Sequence, residues 1–162
     1  ILTRLDYCNG LLSGIPDLLM RRLDGIMRAA ARLILRLPRY GHVTKAMHDR
    51  LHWLNMRARI DFKLSLTAYR CLHGLAPSYL SGLCIPVTQL PGRSHLRSAS
   101  SGKLLVPSCR TKTIGPRAFA VSCPTTWNNL PVELTDPANV DSVAKLKKRL
   151  KTHFFLRMTN GD

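Results

Sequence analysis

His48 and His52 stand four residues apart, the spacing at which two imidazoles share one helix face and can grip one metal ion. The intervening Asp49-Arg50-Leu51 lacks the glutamate of a zincin and no third ligand is implied, so packing beside Trp53 is the expected role of His52. Cys8, Cys71, Cys84, Cys109 and Cys123 form an odd set at wide spacing without a Cys-x-x-Cys pair. That pattern supports neither a zinc knuckle nor a disulfide framework and fits reduced intracellular thiols. Phosphate-cradling loops need glycines at fixed offsets followed by Lys-Ser or Lys-Thr, and none of the ten glycines supplies one. Two-metal phosphoryl transfer needs clustered carboxylates, yet the nine acids never occur as adjacent or next-neighbour pairs. No Gly-x-Ser-x-Gly elbow exposes a nucleophile. The residues therefore assign no catalytic centre, metal or cofactor to this chain.

Positive charge is the chemistry that remains. Twenty-five Lys and Arg against nine Asp and Glu leave a formal charge of +16 on 162 residues, with a pI near 10.6. A compact chain so charged repels itself, and the expected partner is a polyanion, RNA or DNA first, whose phosphates neutralise it. The cations are interleaved with apolar residues instead of gathered in a tail, so they should line folded surfaces. No acid occurs between Asp61 and Glu133, while Lys63, Arg70, Arg93, Arg97, Lys103, Arg110, Lys112 and Arg117 fall in that interval. Arg110, Lys112 and Arg117 are the leading phosphate ligands, grouped around Gly115, where a backbone can approach a ligand closely.

The elements that would hold these cations are mostly helical. Pro16 opens a helical pattern with Leu19, Leu23, Ile26, Ala30, Leu33 and Leu37 as its apolar stripe, and Pro38 ends it. Arg21, Arg28, Arg32 and Arg36 fall on the opposite side, either a ridge for phosphates or an ordinary solvated face. Thr44 is the expected cap of a short helix reaching Leu51, and Asn55 that of a longer one over 56–73, stopped by Gly74 and Pro77. In the longer helix Met56, Ile60, Leu64, Thr67 and Cys71 form one face and Phe62, Leu66, Tyr69 and His73 nearly the opposite one, so it should lie centrally. Its remaining strip carries Arg59, Lys63 and Arg70, which must reach solvent or a ligand because an unpaired buried cation is too costly.

Beyond Pro77-Ser78-Tyr79-Leu80, another helix start, residues 85–102 have loop composition. Residues 103–106 and 110–114 read as two short strands joined by Pro107-Ser108, and Pro116 opens a helix that Pro124 limits. The last helix, over 141–157 with Asp141 or Asn139 as cap, sets the stripe Val143, Leu146, Leu150 and Phe154 against Lys145, Lys148, Arg149 and Lys151, with Lys147 and Arg157 at its flanks. The fold class expected is mainly α: an amphipathic helical bundle with a small β-hairpin in its second half. It divides into a helical region (1–84), a loop linker (85–102) and a C-terminal subdomain (103–162) with the hairpin and the basic terminal helix. No apolar run approaches the roughly 20 residues of a membrane span. The opening residues lack a Met and alternate apolar with polar, which predicts a fragment of a longer polypeptide.

A series of short motifs adds a family resemblance. Leu5-Asp6-Tyr7-Cys8-Asn9, Ala29-Ala30-Ala31-Arg32-Leu33-Ile34, Leu51-His52-Trp53-Leu54, Arg59-Ile60-Asp61-Phe62-Lys63-Leu64 and Gly74-Leu75-Ala76-Pro77-Ser78-Tyr79-Leu80 occur in this order. They are followed by a run from Arg110 through Gly115-Pro116-Arg117-Ala118-Phe119, then Trp127-Asn128-Asn129-Leu130-Pro131 and Leu150-Lys151-Thr152-His153-Phe154-Phe155. The series resembles the region downstream of the polymerase core in reverse transcriptases of jockey-like LINE (non-LTR) retrotransposons. Asn55 stands where that pattern usually has Pro, and the Tyr-x-Asp-Asp turn of the polymerase is absent. The resemblance implies a non-catalytic part of an RNA-directed DNA polymerase that acts in the nucleus. It would help to hold template RNA and primer or target DNA, with the upstream polymerase core as a second partner. Joined to the charge, it makes Arg110, Lys112, Arg117, Arg28, Arg32, Arg36, Arg59, Lys63, Arg70, Lys148, Arg149 and Lys151 the candidate phosphate contacts, with Trp127 as a base-stacking candidate if it is not core. Two other readings stand beside it: a scaffold whose basic faces dock an acidic polymerase core without touching nucleic acid, and a membrane-surface protein using the last helix.

Overall fold

The computed structural model describes residues 2–90, 102–136 and 140–159, and among them the chain is mainly helical. The helices are α1 (Leu2–Asp6), α2 (Asp17–Leu35), α3 (Val43–Leu51), α4 (Met56–Leu72), α5 (Ser78–Ser81), α6 (Phe119–Asn128), α7 (Val132–Thr135) and α8 (Val143–Thr159), with 3₁₀ turns at Asn9–Leu12, Val87–Gln89 and Gly115–Arg117. None is long and apolar enough to cross a membrane.

α4 is the axle of the fold, packed by α2, α5, α6, α8 and the Asn9–Leu12 turn. Both of its long faces are covered over most of their length: Met56, Ile60, Leu64 and Cys71 are buried on one and Leu66 and Tyr69 on the other, with Thr67 and Phe62 half-buried and His73, at the C-cap, exposed. Its start is fixed twice over. Asn55 Oδ1 accepts from the Ala58 N–H at 2.9 Å, and Asp24 Oδ1 reaches across from α2 to accept from the Met56 N–H at 2.9 Å. Each such cap typically contributes about 1 kcal/mol. Its end is a Schellman closure: Gly74 at φ 67° lets the Leu75 N–H donate to the Arg70 carbonyl at 2.8 Å and its own N–H to that of Cys71 at 3.4 Å.

α8 seats Leu146, Leu150 and Phe154 on this core with Val143 half-buried beside them. Its cap differs from expectation. The helix starts at Val143, and Ser142 Oγ, one residue beyond Asp141, accepts from the Lys145 N–H at 3.3 Å; Asn139 lies outside the described residues. α3 likewise starts one residue before Thr44, with His42 in extended geometry ahead of it. α6 runs on through Pro124, which is buried inside the helix instead of limiting it.

α2 is rotated relative to the predicted stripe. Met20, Met27, Ala30 and Ala31 are buried, whereas Leu19, Ile26 and Leu33 are exposed, Leu33 to 77%. The apolar arc of this helix covers more than half its circumference, so periodicity alone fixed no edge; the two methionines, left out of the stripe, point inward. Arg28 and Arg32 consequently sit half-buried beside the core instead of forming an outward ridge, and Arg36 is exposed at the left-handed C-cap.

No strand forms among the described residues, and the expected hairpin is replaced by another pairing. Leu104 bridges Pro86 in antiparallel fashion, flanked by Val87 N–H to Lys103 O at 3.0 Å and Leu105 N–H to Ile85 O at 2.8 Å. Its other edge is taken by Asn128, whose Oδ1 accepts the Leu104 N–H at 2.9 Å while its Nδ2 donates to the Leu104 carbonyl at 2.8 Å. No edge is left for 110–114, where Thr111 Oγ1 instead accepts the Gly115 N–H at 2.8 Å and closes a turn. The core runs continuously from Ile15 to Phe154 and draws on both the 1–84 and the 103–162 segments.

Candidate nucleic-acid interface

Arg59, Lys63 and Arg70 of α4 share a side because residues four and eleven apart return to nearly the same helix angle. α8, pinned by its apolar stripe, turns Lys147 and Lys151, again four apart, toward the same side. Between them lies a recess of about 500 Å³. The five cations line it together with Asp6 and Asn9 from the N-terminal turns and His52, Trp53 and Leu54 from the α3–α4 connection; Phe62 and Leu66 complete the wall from α4.

One carboxylate, Asp6, shares the recess with these cations, and it is already committed. Arg59 Nε donates to Asp6 Oδ1 at 2.8 Å and Nη2 to Oδ2, a bidentate fork that fixes the guanidinium against the wall. Lys63, Arg70, Lys147 and Lys151 are exposed and have no carboxylate within ion-pair distance among the described residues. Asn9 is 2% exposed, and its Oδ1 has no hydrogen-bond partner among the described residues. Trp53 and Phe62 are half-buried, leaving part of each aromatic surface at the recess. The Trp53 carbonyl accepts from His48 Nδ1 at 2.8 Å, which holds the connection onto α3.

The other predicted cations lie elsewhere. Lys148 is exposed outside the recess, and Arg149 Nη1 donates to the Glu133 carbonyl at 3.3 Å. Arg110 and Lys112 are exposed on the loop before Gly115, while the Arg117 stem packs against Gly14, with Nε buried and without a partner among the described residues. Arg93 and Arg97 lie outside the described residues. Trp127 is core: 2% exposed, its indole N–H donating to the Gly102 carbonyl at 3.0 Å, so it offers no stacking face. Lys147, Trp53, Phe62 and Asn9 were absent from the sequence-derived set. Lys147 carried a signal as a flank of the α8 stripe, but nothing in the sequence joins it to residues some eighty positions upstream.

The other titratable groups of the described residues lie away from the recess or are engaged in packing. No group of three His, Cys, Asp or Glu among the described residues is placed to hold a metal. His48 and His52 both lie edge-on to Phe155, at 6.2 and 5.9 Å between ring centres. Cys84 and Cys123 are buried with sulfurs 3.8 Å apart; the neighbouring Cys84 and burial push the Cys123 thiol up, and its hydrogen bond lowers Cys84 to about 7. Burial, opposed by Arg157 and Arg57, raises the Asp61 carboxyl above the ordinary range. No family model, no curated protein and no solved structure matches the chain.

Proposed function

We propose that the chain is a non-catalytic nucleic-acid-binding region that grips phosphates with the recess between α4 and α8. In keeping with the motif series, it would belong to the part of a non-LTR retrotransposon reverse transcriptase downstream of the polymerase core, acting in the nucleus on template RNA and primer or target DNA. The observation that carries the reading is the convergence of Arg59, Lys63, Arg70, Lys147 and Lys151 on one concavity whose one acid among the described residues, Asp6, is already paired. Clustered unpaired cations on rigid helices raise the local potential and attract a polyanion, whereas scattered or neutralised ones do not. Aromatic surface beside them suits bases. Lys148, Arg110 and Lys112 contribute as outer, longer-range contacts. The chain brings no cofactor of its own to this role.

The test is salt dependence. If Lys63, Arg70, Lys147 and Lys151, the recess cations not paired to Asp6, neutralise about four phosphates, the logarithm of the association constant for a single strand should fall with the logarithm of salt at a slope near −2.8. A flat response removes the reading.

A second reading, docking of this region onto an acidic face of its own polymerase core, is favoured by the outer face of α2. There Leu18, Leu19, Ile26, Leu33 and Ile34 are exposed, with Arg21, Arg22 and Arg36 also exposed on the same helix. Exposed apolar side chains interspersed with cations are an interface pattern, and on this reading polar substitution there would abolish binding to the core while leaving affinity for nucleic acid intact.

A further inference from the structure

We infer that the recess between α4 and α8 takes a single unstacked nucleotide, so that the chain binds single-stranded nucleic acid in preference to duplex; the inference rests on the phosphate-binding reading above and sharpens it. Shape decides first. A protein that reads duplex inserts a protruding helix or ribbon into a groove about 12 Å wide. Here the cations surround a concavity of about 500 Å³, within the size range of sites that enclose small ligands. A base inside a duplex cannot enter it without being flipped out, at a cost of a few kcal/mol, whereas a base of a single strand is already free.

The chemistry of the walls agrees. Trp53 and Phe62 offer aromatic surface for a base, over a floor that includes the buried Leu54 and Leu66. Lys63 on α4 and Lys151 on α8 both line the recess, and they are the groups to hold the flanking phosphates of an inserted nucleotide. The Asn9 carboxamide is a second, independent sign. It is 2% exposed, lines the recess and has an oxygen without a partner among the described residues, an unsatisfied state that native folds seldom keep without a use. The oxygen itself is closed to solvent, so an exocyclic amino group of a base satisfies it only when the wall of the recess shifts to admit the donor.

The experiment uses the full chain and labelled oligonucleotides of equal length as single-stranded RNA, single-stranded DNA and blunt duplex, read by fluorescence anisotropy and by intrinsic tryptophan emission. The single strands should bind about tenfold or more tightly than duplex, the difference made by one stacked base. They should also quench Trp53 emission, with the quench lost in Trp53→Phe, because the other tryptophan, Trp127, is enclosed. Trp53→Leu should lose about tenfold for single strands and little for duplex. Lys151→Glu, inside the recess, should weaken single strands more than duplex, which keeps the test decisive if Trp53→Leu does not fold. Equal affinity for duplex and single strand with a steep salt slope and no quench overturns this inference and leaves phosphate binding standing. Absence of salt-dependent binding to every oligonucleotide overturns both. Quenching by RNA but not DNA, or the reverse, supports the pocket and identifies which strand it takes.

Discussion

Asp6 holds Arg59 by two hydrogen bonds from a helix fifty-three residues upstream, and so ties the N-terminal turn to α4 at the wall of the cationic recess. The Arg59 side chain is 15% exposed and that of Asp6 44%, so the pair is half inside the protein. Its removal tests structure and site together. Asp6→Asn should cost about 1–2 kcal/mol of stability, less than a fully buried pair because solvent screens the carboxylate. The same change removes the acid that shares the recess and should raise affinity for single-stranded nucleic acid at low salt, with a steeper salt slope. Denaturant unfolding and anisotropy on one preparation check both; unchanged affinity would mean that the recess is not where phosphates settle.

Asn128 stands in for a β-strand. Its carboxamide satisfies both backbone groups of Leu104, a residue 2% exposed, so Asn128→Ala should leave them unpaired and cost about 1–3 kcal/mol. Asn128→Asp should also destabilise, since a carboxylate accepts the Leu104 N–H but cannot donate to its carbonyl. A melt unaltered in either variant would contradict the pairing.

The rotation of α2 gives a contrast between neighbours. Met27 is fully buried and Met27→Ala should cost about 2–5 kcal/mol, whereas Leu33→Gln, at a site 77% exposed, should stay within about 0.5 kcal/mol of the parent. The opposite ranking would restore the stripe predicted from periodicity.

That contrast also marks how far the sequence could be read. The ends of α4 were legible because Asn55 and Gly74 act through local backbone geometry. The α8 stripe was legible because Val143, Leu146, Leu150 and Phe154 leave one choice of buried face. α2 was not, because an arc of Leu, Ile, Met and Ala wider than the buried face lets tertiary packing choose the orientation. The hairpin failed for a related reason: β-branched content marked 110–114 as strand-forming, but the edge it needed is occupied by a side chain from α6. The recess was half legible. Arg59, Lys63 and Arg70 followed from the leftover strip of a helix covered on two faces, while their meeting with Lys147 is a fact of helix packing that spacing does not encode.

Asp61 carries a pH signature. Burial raises its carboxyl above the ordinary range, so the folded chain keeps the proton to higher pH than the unfolded one. Stability is therefore greatest below the ordinary aspartate range, falls as pH rises toward the raised folded value and is level above it. Asp61→Asn should be more stable than the parent at neutral pH, with the difference closing as pH falls through that range. Thermal melts across acidic pH would show a constant gap, or none, if Asp61 were not desolvated.

Thiol access is a simple check on the core. Cys8 and Cys109 are exposed and Cys71, Cys84 and Cys123 buried, so a thiol reagent should titrate two groups fast and three only on unfolding. Fast reaction of Cys84, favoured by its lowered value near 7, would show that the core is more open than its 3% exposure implies.

The decisive comparison is between two charge-removed variants binding the same single-stranded oligonucleotide across a salt series: Lys63→Gln with Lys151→Gln inside the recess, and Arg110→Gln with Lys112→Gln on the outer loop. The recess variant should lose affinity at least about tenfold at low salt, and its logarithmic salt slope should shrink by about 1.4, two phosphate contacts' worth, with the outer-loop variant close to the parent. If the outer-loop variant is the one that loses affinity and slope while the recess variant binds like the parent, the assignment of the recess between α4 and α8 is wrong.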